Sequence, residues 1–125
     1  MRLAERLAGR HVLLTGATGF VGEALLERVL ADLPDTRVTV VVRGRSGEPA
    51  GERVLALLAK PAFAALRERD GADAVTALVG ARLQVVDADL GAPLPPLPGD
   101  VDVLVHCAGE VSFDPPIDEG FRTNV

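Results

Sequence analysis

The stretch Thr15-Gly16-Ala17-Thr18-Gly19-Phe20-Val21-Gly22 decides the fold of this chain. It follows the apolar run Val12-Leu13-Leu14, which predicts a short buried strand, and it opens a segment whose apolar residues recur at helical spacing. Glycines spaced three apart allow a sharp turn, close approach of a ligand's pyrophosphate to the backbone, and tight packing of the helix on the sheet. The start of that helix offers unpaired N–H groups to phosphates. The stretch therefore predicts a strand, a turn and a helix that together bind a dinucleotide.

The glycine spacing leaves one alternative open. The pattern here is G-x-x-G-x-x-G, whereas the general dinucleotide fingerprint is G-x-G-x-x-G, so a tight turn without a ligand would also fit. A phosphate loop of the Walker type is excluded, because no Gly-Lys-Ser/Thr follows the glycines.

Strand and helix patterns alternate along the rest of the chain. The predicted elements are a brief helix or arm at 2–9, strands at 11–15 and 37–42 around a helix at 19–33, two or three short helices between 52 and 79, strands at 82–86 and 101–105, and a helix from 117 to 125. This order predicts an α/β fold, a Rossmann-type doubly wound parallel sheet with strand order 3-2-1-4. The fourth strand would be an apolar open edge, so we expect residues 1–125 to be the incomplete N-terminal portion of a single domain.

The end of the second predicted strand indicates which dinucleotide is bound. An acidic residue about 20 positions after the glycine turn takes the ribose hydroxyls of NAD, whereas an arginine nearby accommodates the 2′-phosphate of NADP. Arg43 stands 21 positions after Gly22, and Arg45 and Ser46 follow it. This favours NADP(H), although ordinary solvated loop charges would give the same pattern.

Four further residues lie where the predicted third and fourth strands end. Asp89 could accept from the adenine amino group, or Asp87 and Asp89 could cap a turn. His106 is structural or catalytic, and Cys107, in an apolar context, is best explained as an inert core residue.

Composition excludes several other functions. The chain has 125 residues, a net charge of −5, one cysteine and two histidines. The acidic balance argues against a nucleic-acid or anionic-membrane surface, and the few cysteines and histidines argue against a disulfide framework or a metal site. No apolar run approaches the length of a membrane span, and no signal core is visible, so we expect a cytoplasmic protein.

The motifs, taken together, resemble one known family. The matching pieces are the glycine turn, Val42-Arg43, Asp89-Leu90, Val101-Asp102-Val103-Leu104-Val105-His106-Cys107-Ala108, Val111-Ser112-Phe113-Asp114 and Asn124-Val125. In this order they are similar to the N-terminal part of extended short-chain dehydrogenase/reductases, and most of all to the fatty acyl-CoA reductase group. The resemblance implies an NADPH-dependent enzyme that reduces an acyl thioester to an aldehyde or alcohol.

The resemblance also implies roles for individual residues. In the family, the glycine turn holds the pyrophosphate, the strand-end arginines select NADPH, the third strand end flanks the adenine, the fourth lines the path to the nicotinamide, and a helix asparagine supports the proton relay. The implied cofactor-binding residues are Thr15, Gly16, Thr18, Gly19, Phe20, Val21, Gly22, Arg43, Arg45, Asp89, Leu90, His106, Ala108 and Gly109, and the implied catalytic residue is Asn124.

Two departures from the family keep other functions open. Gly109 and Glu110 stand where acyl reductases more often have alanine and a small hydroxylated residue. The family's Tyr-x-x-x-Lys pair is absent, since the chain has no tyrosine and its only lysine is Lys60, so this chain alone is expected to be inactive. A nucleotide-sugar epimerase or dehydratase, or a non-catalytic NADP-sensing protein, remains an alternative.

Overall fold

The computed structural model of the chain describes residues 2–89, 93 and 95–107. Its helices are α1 (Leu3–Leu7), α2 (Phe20–Asp32), α3 (Ala50–Leu58), α4 (Ala64–Asp70), α5 (Ala72–Thr76) and α6 (Leu78–Ala81), with a 3₁₀ turn at Pro61–Phe63. Its strands are β1 (His11–Thr15), β2 (Arg37–Val42), β3 (Leu83–Asp87) and β4 (Val103–His106).

The four strands form one parallel sheet in the order β3-β2-β1-β4. Thr15 at the end of β1 is in register with Val41 on one side and His106 on the other. The carboxyl ends of these strands therefore meet at one edge of the sheet, which is where ligands bind in such folds. The predicted fold class and strand order are confirmed.

One hydrophobic core joins the sheet to the helices. Alternate residues of β2, namely Val38, Val40 and Val42, pack with Leu26 and Leu30 of α2 in a single buried cluster. The other buried members of the cluster are Leu14, Ala17, Ala50, Val54, Leu57, Leu58, Phe63, Leu66, Val75 and Leu83. Burial of this apolar surface holds α2 and α3 against the strands. Cys107 was predicted to be a core residue, and it is half-buried against this cluster without belonging to its fully buried members.

The segment between β2 and β3 has more helices than the sequence predicted. The prediction of two or three helices was wrong, because four α-helices and the 3₁₀ turn lie between these strands. Gly71, with φ of 92°, separates α4 from α5, and Gly80, with φ of 91°, distorts α6. Left-handed backbone of this kind ends a helix and is readily adopted only by glycine.

Two strands also begin later than predicted, and each ends one residue later, β3 at Asp87 and β4 at His106. β3 begins at Leu83 rather than 82, because the amide of Arg82 still donates to the carbonyl of Leu78 at 2.9 Å and closes α6. β4 begins at Val103 rather than 101, because the Asp102 carboxylate accepts the amide of His11 at 2.9 Å. The helix predicted from 117 to 125 lies outside the described residues.

Arg82 fixes the far end of the helix that follows the glycine turn. Its Nη2 donates to the carbonyls of Leu33 at 2.6 Å and Val29 at 3.3 Å, its Nη1 to Leu30 at 3.2 Å, and its Nε to Thr36 at 2.8 Å. The last carbonyls of a helix have no partner within the helix, so one guanidinium satisfies the C-terminal end of α2.

Among the described residues, β4 pairs with β1 alone and forms one edge of the sheet. Leu104 in this strand is exposed. No helix in the described ranges is long and apolar enough to cross a membrane.

Candidate dinucleotide-binding site

The glycine turn connects β1 to α2 and depends on two of its three glycines for its shape. Gly16 has φ of 78°, and its carbonyl accepts the amide of Gly19 at 3.0 Å. A Cβ on Gly22 would overlap the Gly16 carbonyl and approach the Cα of Ala17 to 3.0 Å. The first turn of α2 therefore packs on the turn at a distance that only glycine permits. A Cβ on Gly19 would lie 3.4 Å from the Gly16 oxygen, an ordinary contact, so the folded chain itself does not require glycine there.

The N-terminal end of α2 is open to an anion. Gly19 is the N-cap residue and has no side chain to bond the helix amides, and the first helical bond runs from Glu23 to Gly19 at 2.9 Å. Phe20, Val21 and Gly22 thus present amides with no recorded acceptor in the described part of the chain. Together with the positive end of the helix dipole, these amides suit a phosphate group. The side chain of Phe20 beside them is 92% exposed.

The ends of β1 and β4 are joined next to this turn. The hydroxyl of the buried Thr15 lies 2.7 Å from Nδ1 of His106, and the amide of Cys107 donates to the Thr15 carbonyl at 3.1 Å. Since His106 is itself exposed, this contact gives it a structural role at the edge of the cofactor site. The role that the family resemblance implies for His106, beside the path to the nicotinamide, stays a prediction.

The predicted specificity residue Arg43 lies directly after β2. Its side chain is 68% exposed, and its Nη1 lies 3.4 Å from a carboxylate oxygen of Asp89. Asp87, in contrast, accepts the amide of Gly44 at 3.1 Å and fixes the loop behind Arg43. Asp87 therefore stabilises the loop after β2, whereas Asp89 lies beside Arg43, the arginine that is expected to bind phosphate.

A cleft of about 170 Å³ lies between the glycine turn and the first inserted helix. Its lining residues are Thr18, Arg45, Glu48, Arg53, Ala56, Leu57 and Lys60. Three of these are cations, and Arg53 and Lys60 were missed by sequence reasoning. The signal was present, because residues 53, 56, 57 and 60 recur at the spacing of one helical face.

Arg53 is the most buried of the three cations that line the cleft. Its side chain is only 12% exposed, its Nη1 donates to the backbone carbonyl of Arg43, and its Nε lies 3.6 Å from Glu48. Arg45 and Glu48 exchange backbone hydrogen bonds of 2.8 and 2.9 Å, which close the loop over this arginine. Arg53 therefore connects the backbone of Arg43 to the cleft beside Thr18.

The structure brings together most of the predicted site. The turn and the residues on either side of it contain Thr15, Gly16, Thr18, Gly19, Phe20, Val21 and Gly22. Arg43, Arg45 and Asp89 follow the neighbouring strands β2 and β3, and His106 is the last residue of β4. Leu90, Ala108, Gly109 and Asn124 lie outside the described residues, so their roles stay predictions. No cluster of potential metal ligands occurs within the described ranges.

Comparison with known protein families identifies what this arrangement is similar to. A model of an NAD-binding family, described as male sterility protein, matches residues 14–125. Fatty acyl-CoA reductase 1 of Xenopus laevis is 33% identical over the whole chain, and fatty acyl-CoA reductase 2 of Bos taurus is 28% identical over 98% of it. The chain spans about a quarter of the length of these relatives, 25% and 24% respectively.

Solved structures give the same result. The terminal R domain from the myxalamid PKS-NRPS biosynthetic pathway superposes with a TM-score of 0.62 and 27% identity, over 90% of this chain and 28% of that one. The reductase (R) domain of a non-ribosomal peptide synthetase from Mycobacterium tuberculosis has a TM-score of 0.57 and 32% identity, over 84% of this chain and 26% of that one.

Proposed function

The chain belongs to the male sterility protein family of NAD-binding domains, within the extended short-chain dehydrogenase/reductases, and from this membership we propose that it binds NADP(H) as part of a reductase of acyl thioesters. The observation that carries the proposal is that Thr18 belongs to both the glycine turn and the cationic cleft. A nucleotide with a pyrophosphate and a further phosphate on its ribose fits two adjoining anion sites of this kind.

Each part of the cofactor has its own group of residues. The open amides of α2 would take the pyrophosphate, and Arg43, Arg45 and Arg53 would take the 2′-phosphate. Arginine suits this task because its planar guanidinium donates two parallel bonds to a phosphate. Asp89, beside Arg43, would flank the adenine.

The chemistry of the whole enzyme divides between the cofactor and the protein. Bound NADPH supplies the hydride, while this chain's residues hold and orient the nucleotide. The family transfers the proton through a Tyr-x-x-x-Lys pair, which is absent from this sequence. We therefore propose that residues 1–125 are the N-terminal part of one cofactor-binding domain and bind the nucleotide without turnover. The comparisons do not favour the alternatives of a nucleotide-sugar enzyme or an NADP-sensing protein, because the relatives matched are fatty acyl-CoA reductases and reductase domains.

The first experiment measures binding of NADPH and NADH by calorimetry to Arg43→Ala and Arg53→Met. Each variant should lose about 10- to 100-fold in NADPH affinity, since a hydrogen bond to a charged group contributes roughly 1.5–3 kcal/mol. NADH affinity should change less than about twofold. Arg6→Ala, an exposed arginine of α1, is the control and should leave both affinities unchanged. Equal losses for NADPH and NADH in both arginine variants would contradict the assignment.

A second experiment separates the reductase from the sensor. The native protein that carries residues 1–125, isolated from its own cells, should consume NADPH when an acyl-CoA is added, and form the aldehyde or alcohol. Binding of NADPH without turnover for any acyl thioester would favour the sensing function.

A further inference from the structure

An ion pair joins the cationic cleft to the first turn of α2. Nζ of Lys60 lies 3.2 Å from Oε2 of Glu23. Lys60 lines the cleft with Thr18, whereas Glu23 directly follows Gly22 and is only 19% exposed on its side chain. The only lysine of the chain is thus held by a carboxylate at the helix end that is expected to bind the pyrophosphate.

Glu23 is favourable for the helix and unfavourable for the ligand. A carboxylate in the first turn interacts well with the positive end of the helix dipole. A pyrophosphate bound at the same end uses the same field, and a nearby negative charge repels it. Without a partner, Glu23 would therefore weaken every nucleotide that places its phosphates on this turn.

The backbone around Lys60 holds it where its ammonium group can neutralise the Glu23 carboxylate. Its amide donates to Leu57 at 3.0 Å, and its carbonyl accepts from Phe63 at 3.0 Å and from Nη1 of Arg67 at 2.9 Å. Its side chain therefore starts from a backbone position fixed on both sides, at the end of α3. We propose that Lys60 is a positioning residue that neutralises Glu23 and so keeps the start of α2 receptive to the pyrophosphate. The inference rests on the proposed NADP(H) site.

The test compares Lys60→Met, Glu23→Gln and the double variant. Lys60→Met should weaken NADPH and NADH by the same factor, roughly threefold to tenfold, because the pyrophosphate is common to both. The double variant should bind both nucleotides within about twofold of the parent protein. An ion pair with only a structural role would give a different result. The pair is absent from both Lys60→Met and the double variant, so the affinity for NADPH and NADH would be lowered equally in both.

A control variant removes an ion pair elsewhere on the surface. Arg10→Met breaks another exposed pair, with Asp102 at 3.5 Å, away from the glycine turn, and should leave both affinities unchanged. Loss of NADPH affinity alone, without recovery in the double variant, would overturn the inference and show that Lys60 contacts the 2′-phosphate. No change in Lys60→Met would also overturn it, while the Arg43 and Arg53 variants test the proposed function separately.

Discussion

Replacement of Arg82 by methionine should destabilise the protein more than any other single change to a partly exposed side chain described above. Methionine keeps most of the apolar length of arginine but none of its donors. The carbonyls of Val29, Leu30 and Leu33 at the end of α2 would then lose their shared partner. The C-terminal end of α2 would then keep the bond from Arg69 Nη1 to the Ala31 carbonyl at 2.8 Å, but would lose the side chain that joins it to the start of β3.

The magnitude follows from the bonds themselves. Three of the four are 3.2 Å or shorter, and each hydrogen bond contributes about 1 kcal/mol net. Desolvation lowers the pKa of Arg82, which means that burial of its charge offsets part of this gain. We expect a loss of about 2–4 kcal/mol, a large share of the roughly 5–15 kcal/mol that holds a domain folded.

Urea unfolding measures this loss directly. The transition midpoint should fall while the slope stays constant, because the surface exposed on unfolding is unchanged. Arg82→Lys should recover only a minor part, since an ammonium cannot span carbonyls that a planar guanidinium reaches. A change below about 0.5 kcal/mol in Arg82→Met would refute the reasoning and show that water replaces the guanidinium without cost.

Two further predictions concern the turn and the opposite edge of the sheet. Gly22→Ala should lower the unfolding midpoint because its Cβ meets the Gly16 carbonyl, whereas Gly19→Ala should leave stability within about 0.5 kcal/mol and weaken nucleotide binding, as calorimetry would show. The Arg37 guanidinium, and then the His11 imidazole, lower the pKa of Asp100 from 3.8 to about 2. The stability from this carboxylate is therefore present above about pH 4 and lost as pH falls towards 2, and acid unfolding of Asp100→Asn should be less steep there; an identical acid transition would contradict this.

The fold was predictable from sequence because its signals are local. The glycine turn, the apolar strands and the stripe along α2 each lie within about 15 residues, and together they allow one economical strand order. The same local patterns placed Arg43 directly after β2, because its distance from the turn is set by one helix and one strand, while its role in binding stays a prediction.

The remaining features depend on tertiary docking. Arg53 and Lys60 reach the site only because the inserted helices fold back over the glycine turn, and no local pattern gives that angle. Glu27 of α2 is buried although it is charged, and a hydrogen bond from Arg28 lowers the pKa of its carboxyl. In the sequence, Arg82 looks like an ordinary charged residue at the start of the third predicted strand. Its role is visible only when the end of α2 is known to lie beside it.

The contact between Thr15 and His106 also bears on the order in which the molecule folds. These residues are 91 positions apart, whereas His11 and Thr39, which join β1 to β2, are 28 apart. Closing a longer loop costs more chain entropy and slows folding, so the unit of β1, β2 and β3 should assemble before β4 docks. The end of β1 beside the glycine turn would then gain its neighbour β4 last. A cofactor that binds only after β4 has docked would shift the equilibrium of this last step towards the folded state.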